Sequence, residues 1–181
     1  TISSSQRRAV ARERTSVARV SDRIGLGLAD AVGPMISRGR RFGGGTPLIC
    51  SSLVGRSAER IANEARSTLA KGADVLEWRV DFFDGIGDTQ AVLATARGLR
   101  AAIGDTPLIF TRRGTREAGQ PIALGEDAVL RLYDAVAAAG VIDFLEYEMD
   151  SAPARVREAR NIASAHGVQL ILSYHDFDAT P

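Results

Sequence analysis

The sequence predicts an α/β fold of the (β/α)8 TIM-barrel class, of which these residues hold about five strands and four helices. Three observations carry that reading. From Thr46 onward, short apolar runs alternate strictly with amphipathic stretches. Each run has one apolar face and one face that turns polar toward its C-terminal end. No G-x-G-x-x-G follows the first run, which argues against a dinucleotide fold.

Each element has a local cause. Pro47 opens Leu48-Ile49-Cys50, which continues to Ser51-Ser52 as the first strand. Ser57 is placed to cap a helix with Ile61, Ala65 and Leu69 on one face, ending at Lys71-Gly72. Residues 74–80 form the second strand. Thr89 starts a helix that carries Val92, Leu93, Ala96, Leu99 and Ile103. Residues 107–111 are the third strand, followed by a polar loop containing Gly114 and Gly119. Residues 126–139 are helical and stop at Gly140, and residues 141–149 are the fourth strand. Pro153 stands at a helix start, His166-Gly167 ends that helix, and residues 168–173 are the fifth strand.

Strand alternation sorts the side chains. Glu77 and Arg79 share one face of the second strand, with Leu76, Trp78 and Val80 on the other. The third strand aligns Ile109, Thr111 and Arg113, the fourth Phe144, Glu146 and Glu148, and the fifth Ile171, Ser173 and His175. A doubly wound sheet covers both faces with helices, where such charges would be costly. A barrel mouth accommodates them, because active sites lie at the C-terminal ends of the strands.

Composition excludes several classes. No run approaches the roughly 18 apolar residues of a membrane span. Net charge is +1, but residues 1–45 hold nine Arg against Glu13, Asp22 and Asp30, while the remainder is net acidic. The globular part therefore has no basic face suited to nucleic acid. Cys50 is the only cysteine, which excludes internal disulfides and cysteine-based zinc sites and favours a reducing, cytoplasmic setting. Cys50 itself reads as a core residue. Residues 1–45 read as an Arg/Ser/Gly-rich, poorly ordered tail, with Arg38, Arg40 and Arg41 running into a Gly43-Gly44-Gly45 linker. Val17, Val20, Ile24, Leu28 and Ala31 form a weak helical stripe within it. An organellar targeting segment and a basic binding arm are the alternatives.

Five segments stand in order: Ser52-Leu53-Val54-Gly55, Glu77-Trp78-Arg79-Val80-Asp81, Phe110-Thr111-Arg112-Arg113 through Glu117, Glu146-Tyr147-Glu148, and Ser173-Tyr174-His175-Asp176-Phe177 with Thr180-Pro181. Together they resemble the type I 3-dehydroquinate dehydratases, from about residue 47 onward. The E-W-R-V-D and S-x-H-D-F segments are the specific ones. The resemblance implies a (β/α)8 barrel, a homodimer when full length, and neither metal nor organic cofactor. It implies a syn dehydration of 3-dehydroquinate in the shikimate pathway, with a barrel lysine forming an imine that serves as an electron sink. By the same resemblance, His175 moves the proton and Glu117 orients it. Ser52, Glu77, Arg79 and Arg113 match residues that line the pocket and hold substrate.

Bland readings stand beside these. Glu77 and Arg79 could form a structural ion pair, Glu117 could be a solvated loop carboxylate, and His175 could cap a loop. Glu146 and Glu148 are equally readable as packing or supporting groups. His166 reads as a helix C-terminal cation. A metal-dependent barrel lyase or aldolase would use Glu77, Glu148 and His175 as ligands. A non-catalytic barrel remnant is a further alternative. Two features depart from the resemblance. Arg112 stands where the family commonly has an apolar residue, and alternation turns it toward the helices, so it is expected to snorkel into solvent. The family's N-terminal hairpin is not visible in residues 1–45. Lys71 is the only lysine, and it lies at a helix end on the floor side. The expectation is a truncated chain that lacks the imine-forming lysine and is inactive alone, with exposed apolar sheet edges.

Overall fold

The computed structural model describes residues 34–43 and 45–179. Seven strands and four α-helices occur among them, labelled here in chain order. Among the described residues, the main unit comprises residues 36–40 and 46–179, and the other residues 34–35, 41–43 and 45. The helical stripe read at Val17 to Ala31 lies outside the described residues, as do Gly44, Thr180 and Pro181.

The core of the main unit is a five-stranded parallel sheet. Its strands are β3 (Cys50–Leu53), β4 (Val75–Arg79), β5 (Leu108–Thr111), β6 (Phe144–Glu148) and β7 (Gln169–Ser173). They pair strictly in sequence order, β3-β4-β5-β6-β7. A doubly wound sheet reverses direction at a switch point. Sequential order without reversal is the arc of a barrel, as the strand faces predicted. Between the strands run α1 (Ala58–Ala70), α2 (Thr89–Ile103), α3 (Glu126–Ala138) and α4 (Pro153–Ala165). Consecutive helices pack on one another.

The helix starts read from the sequence hold, and Asp88, which that reading did not name, is the cap before Thr89. The Ser57 hydroxyl accepts from the Arg60 amide, and Asp88 caps α2 by accepting from the Gln90 amide. Pro153 occupies the first turn of α4. The outer face of the sheet is the apolar one: Leu53, Leu76, Trp78, Leu108, Phe110 and Leu145 are fully buried. Trp78, Phe110, Tyr133 and Tyr147 follow one another edge to face, with centroids 5.4–6.1 Å apart. Cutting Phe110 to alanine would cost about 3–5 kcal/mol by the usual cavity penalty.

Three expectations are corrected. Residues within the segment read as tail and linker form a hairpin, β1 (Met35–Ser37) and β2 (Arg40–Phe42). Arg38 and Gly39 both take positive φ, as a two-residue hairpin turn of the primed type requires. Arg38 reaches Asp143 at 2.6 Å and Arg40 reaches Asp74 at 3.1 Å, both at the starts of strands. Arg112 does not snorkel out into open solvent. Its guanidinium pairs with Glu126 in the first turn of α3, and its side chain is only 12% exposed. An acidic first turn supplies the counter-charge that snorkelling would otherwise find in water. Cys50 is exposed, because β3 is an edge strand and the residue shares the inner face with Ser52.

Candidate active site

The inner face of the arc is polar by register. Ser52 stands beside Glu77, and Glu77 beside Ile109. One layer higher, Arg79, Thr111 and Glu146 are neighbours in a row, and Glu148 stands beside Ser173. These layers rise toward the C-terminal ends of the strands, where the loops begin.

The loop after β5 is wound tightly. Thr115–Glu117 form a single 3-10 turn, and the amides of Glu117 and Gly119 both donate to the Gly114 carbonyl, at 3.0 and 2.8 Å. At Gly119 a Cβ would stand 2.0 Å from the Arg113 carbonyl oxygen, so only glycine lets the loop close. That closure turns Glu117 inward, where it is only 7% exposed although it lies in a loop.

Arg113 is the hub. Its Nη1 lies 2.9–3.0 Å from Glu117 Oε2, Glu146 Oε1, Ser173 Oγ and His175 Nδ1. Its Nη2 comes within 4.0 Å of Glu77 Oε1. His175 Nδ1 also lies 2.6 Å from Glu117 Oε2. A protonated Nδ1 donates to Glu117, whereas a bare Nδ1 accepts from Arg113 Nη1, and either way the contacts of the cluster fall on Nδ1 and not on Nε2. Nε2 has no described partner, and the His175 side chain is 41% exposed. Ser52 Oγ donates to Glu77 on the opposite side of the cluster.

The alternative of a Glu77–Arg79 ion pair is not realised. Arg79 pairs with Asp81, not Glu77, through Nε and Nη2 at 2.8 Å each, and its guanidinium lies over the Phe82 ring at 5.2 Å. Those hydrogen bonds raise Arg79 above the ordinary arginine range. Burial likewise raises the Glu146 carboxyl, against the opposing pull of Ser173 and Arg113.

Five of the six nominated residues, Ser52, Glu77, Arg113, Glu117 and His175, therefore form one contiguous network, and Arg79 stands in the adjoining pair. The nomination missed Asp81, Glu146, Glu148 and Ser173. Glu146 is held by Ser173 and Arg113, and Glu148 Oε1 accepts from the Gly114 amide at 2.6 Å. Strand parity had placed Glu146, Glu148 and Ser173 on the right face. Asp81 lies in the 3-10 turn after β4, where strand parity no longer assigns a face. The ligand set of the metal-dependent reading is not assembled. Glu148 faces the Gly114 amide, Glu77 faces Ser52, and no group of three His, Cys, Asp or Glu among the described residues is arranged to hold a metal ion. His166 does sit at the end of α4, with Nε2 2.7 Å from Asp134.

The chain as a whole is similar to known proteins in sequence and fold. A 3-dehydroquinate dehydratase of Albidiferax ferrireducens is 45% identical over 149 residues, covering 82% of this chain and 56% of that protein. One from Aromatoleum aromaticum is 48% identical over 139 residues, covering 77% and 54%. The chain thus spans about half the length of the curated relatives it matches. The crystal structure of the Geobacillus kaustophilus 3-dehydroquinate dehydratase matches with a TM-score of 0.79 at 41% identity, covering 82% of this chain and 58% of that one. The Clostridium difficile type I enzyme, crystallised with covalent modified comenic acid, gives 0.79 at 30% identity with the same coverage. The family model for type I 3-dehydroquinase matches residues 49–181, and on that match the chain belongs to the type I 3-dehydroquinase family.

Proposed function

We propose that the whole protein is a 3-dehydroquinate dehydratase that works through an imine, with His175 as its acid–base group and Glu117 as the partner of that histidine. The observation that carries this is the 2.6 Å contact between His175 Nδ1 and Glu117, with Nε2 making no described hydrogen bond on a side chain that is 41% exposed. A lysine amine condenses with the substrate ketone and releases water. Nε2 of His175 takes the proton from the adjacent carbon. The electron pair left behind moves into the protonated imine to give an enamine. As it returns, the carbon–oxygen bond of the departing hydroxyl breaks, and the imidazolium returns its proton, so the hydroxyl leaves as water. Hydrolysis of the imine frees the unsaturated ketone and the amine.

Arg113 sits beside His175 and pairs with Glu117 through Nη1 at 3.0 Å. Glu77, Ser52 and Arg79 supply acceptors and donors for the substrate's hydroxyls. The inner face carries Glu77, Glu117, Glu146 and Glu148, while Arg79 is already matched by Asp81. A cationic amine entering this face meets an excess of carboxylates, of which Glu146 Oε2 makes no hydrogen bond. Lys71 does not meet that need. It is the C-cap of α1, four residues before β4 begins and so at the opposite end of the strands. The reading therefore assigns the imine to a lysine outside these 181 residues, which turn over no substrate alone. Borohydride reduction with 3-dehydroquinate, followed by peptide mapping, tests this. The whole protein should carry one adduct and the 181-residue chain none. An adduct on Lys71, or turnover by the 181 residues, would overturn the assignment.

A further inference from the structure

We propose that Asp81 is a positioning residue, one buried carboxylate that sets both Arg79 and the segment Arg113–Gln120 for the reaction; this rests on the dehydratase reading above. Its four contacts use both oxygens. Oδ1 accepts from Arg79 Nε at 2.8 Å and from the Arg113 amide at 3.3 Å. Oδ2 accepts from Arg79 Nη2 at 2.8 Å and from the Gln120 amide at 3.0 Å. A carboxylate has about four acceptor positions, and here each is occupied. The Asp81 side chain is fully buried, so it does not meet substrate itself.

The consequence is geometric. Two bonds to one carboxylate fix the plane of the Arg79 guanidinium, which a single bond would leave free to rotate. The two amide bonds pin both ends of the segment that contains Glu117. Between those ends the chain closes on Gly114 and delivers Glu117 to His175. One side chain therefore holds the spacing between a substrate-facing arginine and the carboxylate that orients the base. The short 3-10 turn Val80–Phe82 directly after β4 is what brings Asp81 back over Arg79. An asparagine cannot repeat this. It keeps one acceptor oxygen, and its amide would face either Arg79 Nε and the Arg113 N–H, or Arg79 Nη2 and the Gln120 N–H.

The test compares the whole protein with its Asp81→Asn variant. Hydrogen bonds to a charged group are worth about 1.5–3 kcal/mol, so each function released should change by roughly 10- to 100-fold. KM should rise because Arg79 is freed, and kcat should fall because Glu117 is freed. NMR should show a slowly exchanging Arg79 Nε–H in the wild type that exchanges fast in the variant. A merely structural aspartate would lower the melting temperature yet leave kcat and KM of the folded variant within about twofold, and that result overturns the proposal. Should the variant not fold, exchange in the wild type decides: protected Arg79 Nε–H and Gln120 N–H support the clamp, and fast exchange at either overturns it. A protein that leaves 3-dehydroquinate untouched would sink the dehydratase reading instead, and the same exchange data would still judge the clamp.

Discussion

The mouth and the floor of the arc are both built from arginines and carboxylates, and they differ in what is left over. On the floor, Arg100 gives Nε to the Val141 carbonyl, Nη1 to the carbonyls of Gly104 and Thr106, and Nη2 to Asp143. Asp143 in turn accepts from the Leu108 amide and from Arg38. Every strong donor ends on a backbone group or on a neighbour already paired. At the mouth, Arg113 is shared among five groups, His175 Nε2 has no described partner, and Glu146 Oε2 makes no hydrogen bond. A saturated network holds strand ends in place. An unsaturated one, at the end of the strands where the loops open, has capacity to bind and to move a proton. Residue type does not separate the two regions, whereas the count of unused atoms does.

The largest expected effect breaks the mouth alone. Replacing His175 with alanine in the whole protein should lower kcat by about 10³-fold or more, the scale of general acid–base catalysis. The half-exposed side chain contributes little packing, so the melting temperature should move by only a few degrees. The Glu117→Gln variant should lose less, about 10²-fold, because His175 retains its base while losing its orienting charge. Steady-state kinetics with calorimetry separates the two quantities. Undiminished turnover in the histidine variant would show that the unused nitrogen is not the base.

Breaking the floor should invert that pattern. The Asp143→Ala variant strands Arg100, whose side chain is only 14% exposed, without its counter-charge. Removing one partner of such a pair costs about 3–5 kcal/mol. Denaturant unfolding should show that loss, while kcat of the folded protein stays within about twofold. A fall in kcat matching the fall in stability would erase the distinction between the regions.

Gly114 joins the two kinds of behaviour and should give an intermediate effect. A Cβ there would sit 2.7 Å from Glu148 Oε2, so the Gly114→Ala change must push that carboxylate off the Gly114 amide. Leaving a buried donor unpaired costs about 1–3 kcal/mol, and this part-buried one should cost about 1 kcal/mol. Because this amide anchors the loop that carries Glu117, turnover should fall roughly tenfold as well. Stability lost without any loss of rate would place Gly114 with the floor.

Much of this contrast was legible in the amino-acid order. Period-two alternation put Glu77, Arg79, Arg113, Glu146 and His175 on one face, and Ser57 and Pro153 marked helix starts through local backbone chemistry. The inward turn of Glu117 was not legible from pattern. It depends on a loop that closes only because Gly119 lets the chain pass against Arg113, a contact between backbones with no periodic signature. Asp81 was hidden for a similar reason, since a 3-10 turn breaks strand parity just where it would have been counted. The hairpin at Arg38-Gly39 was masked by composition, because a run of Arg and Gly reads as linker until the acidic strand starts it pairs with are known.

The smallest effect concerns Glu146, and it sharpens the comparison because this carboxylate lies between packing and chemistry. Burial raises its folded-state pKa above the ordinary glutamate value. A raised value means that the folded protein holds the proton more tightly than the unfolded chain. Stability from that proton is fully present below the unfolded pKa and is lost as pH rises through the folded one. The Glu146→Gln variant cannot ionise, so it should escape this loss. In denaturant unfolding across pH, the wild type should match or exceed the variant in acid and fall progressively behind as pH rises past the glutamate range. Arg113 pulls the other way at 2.9 Å. If that pairing outweighs desolvation, the order of the two curves reverses: the variant becomes the less stable protein at neutral pH, and Glu146 behaves like Asp143 on the floor.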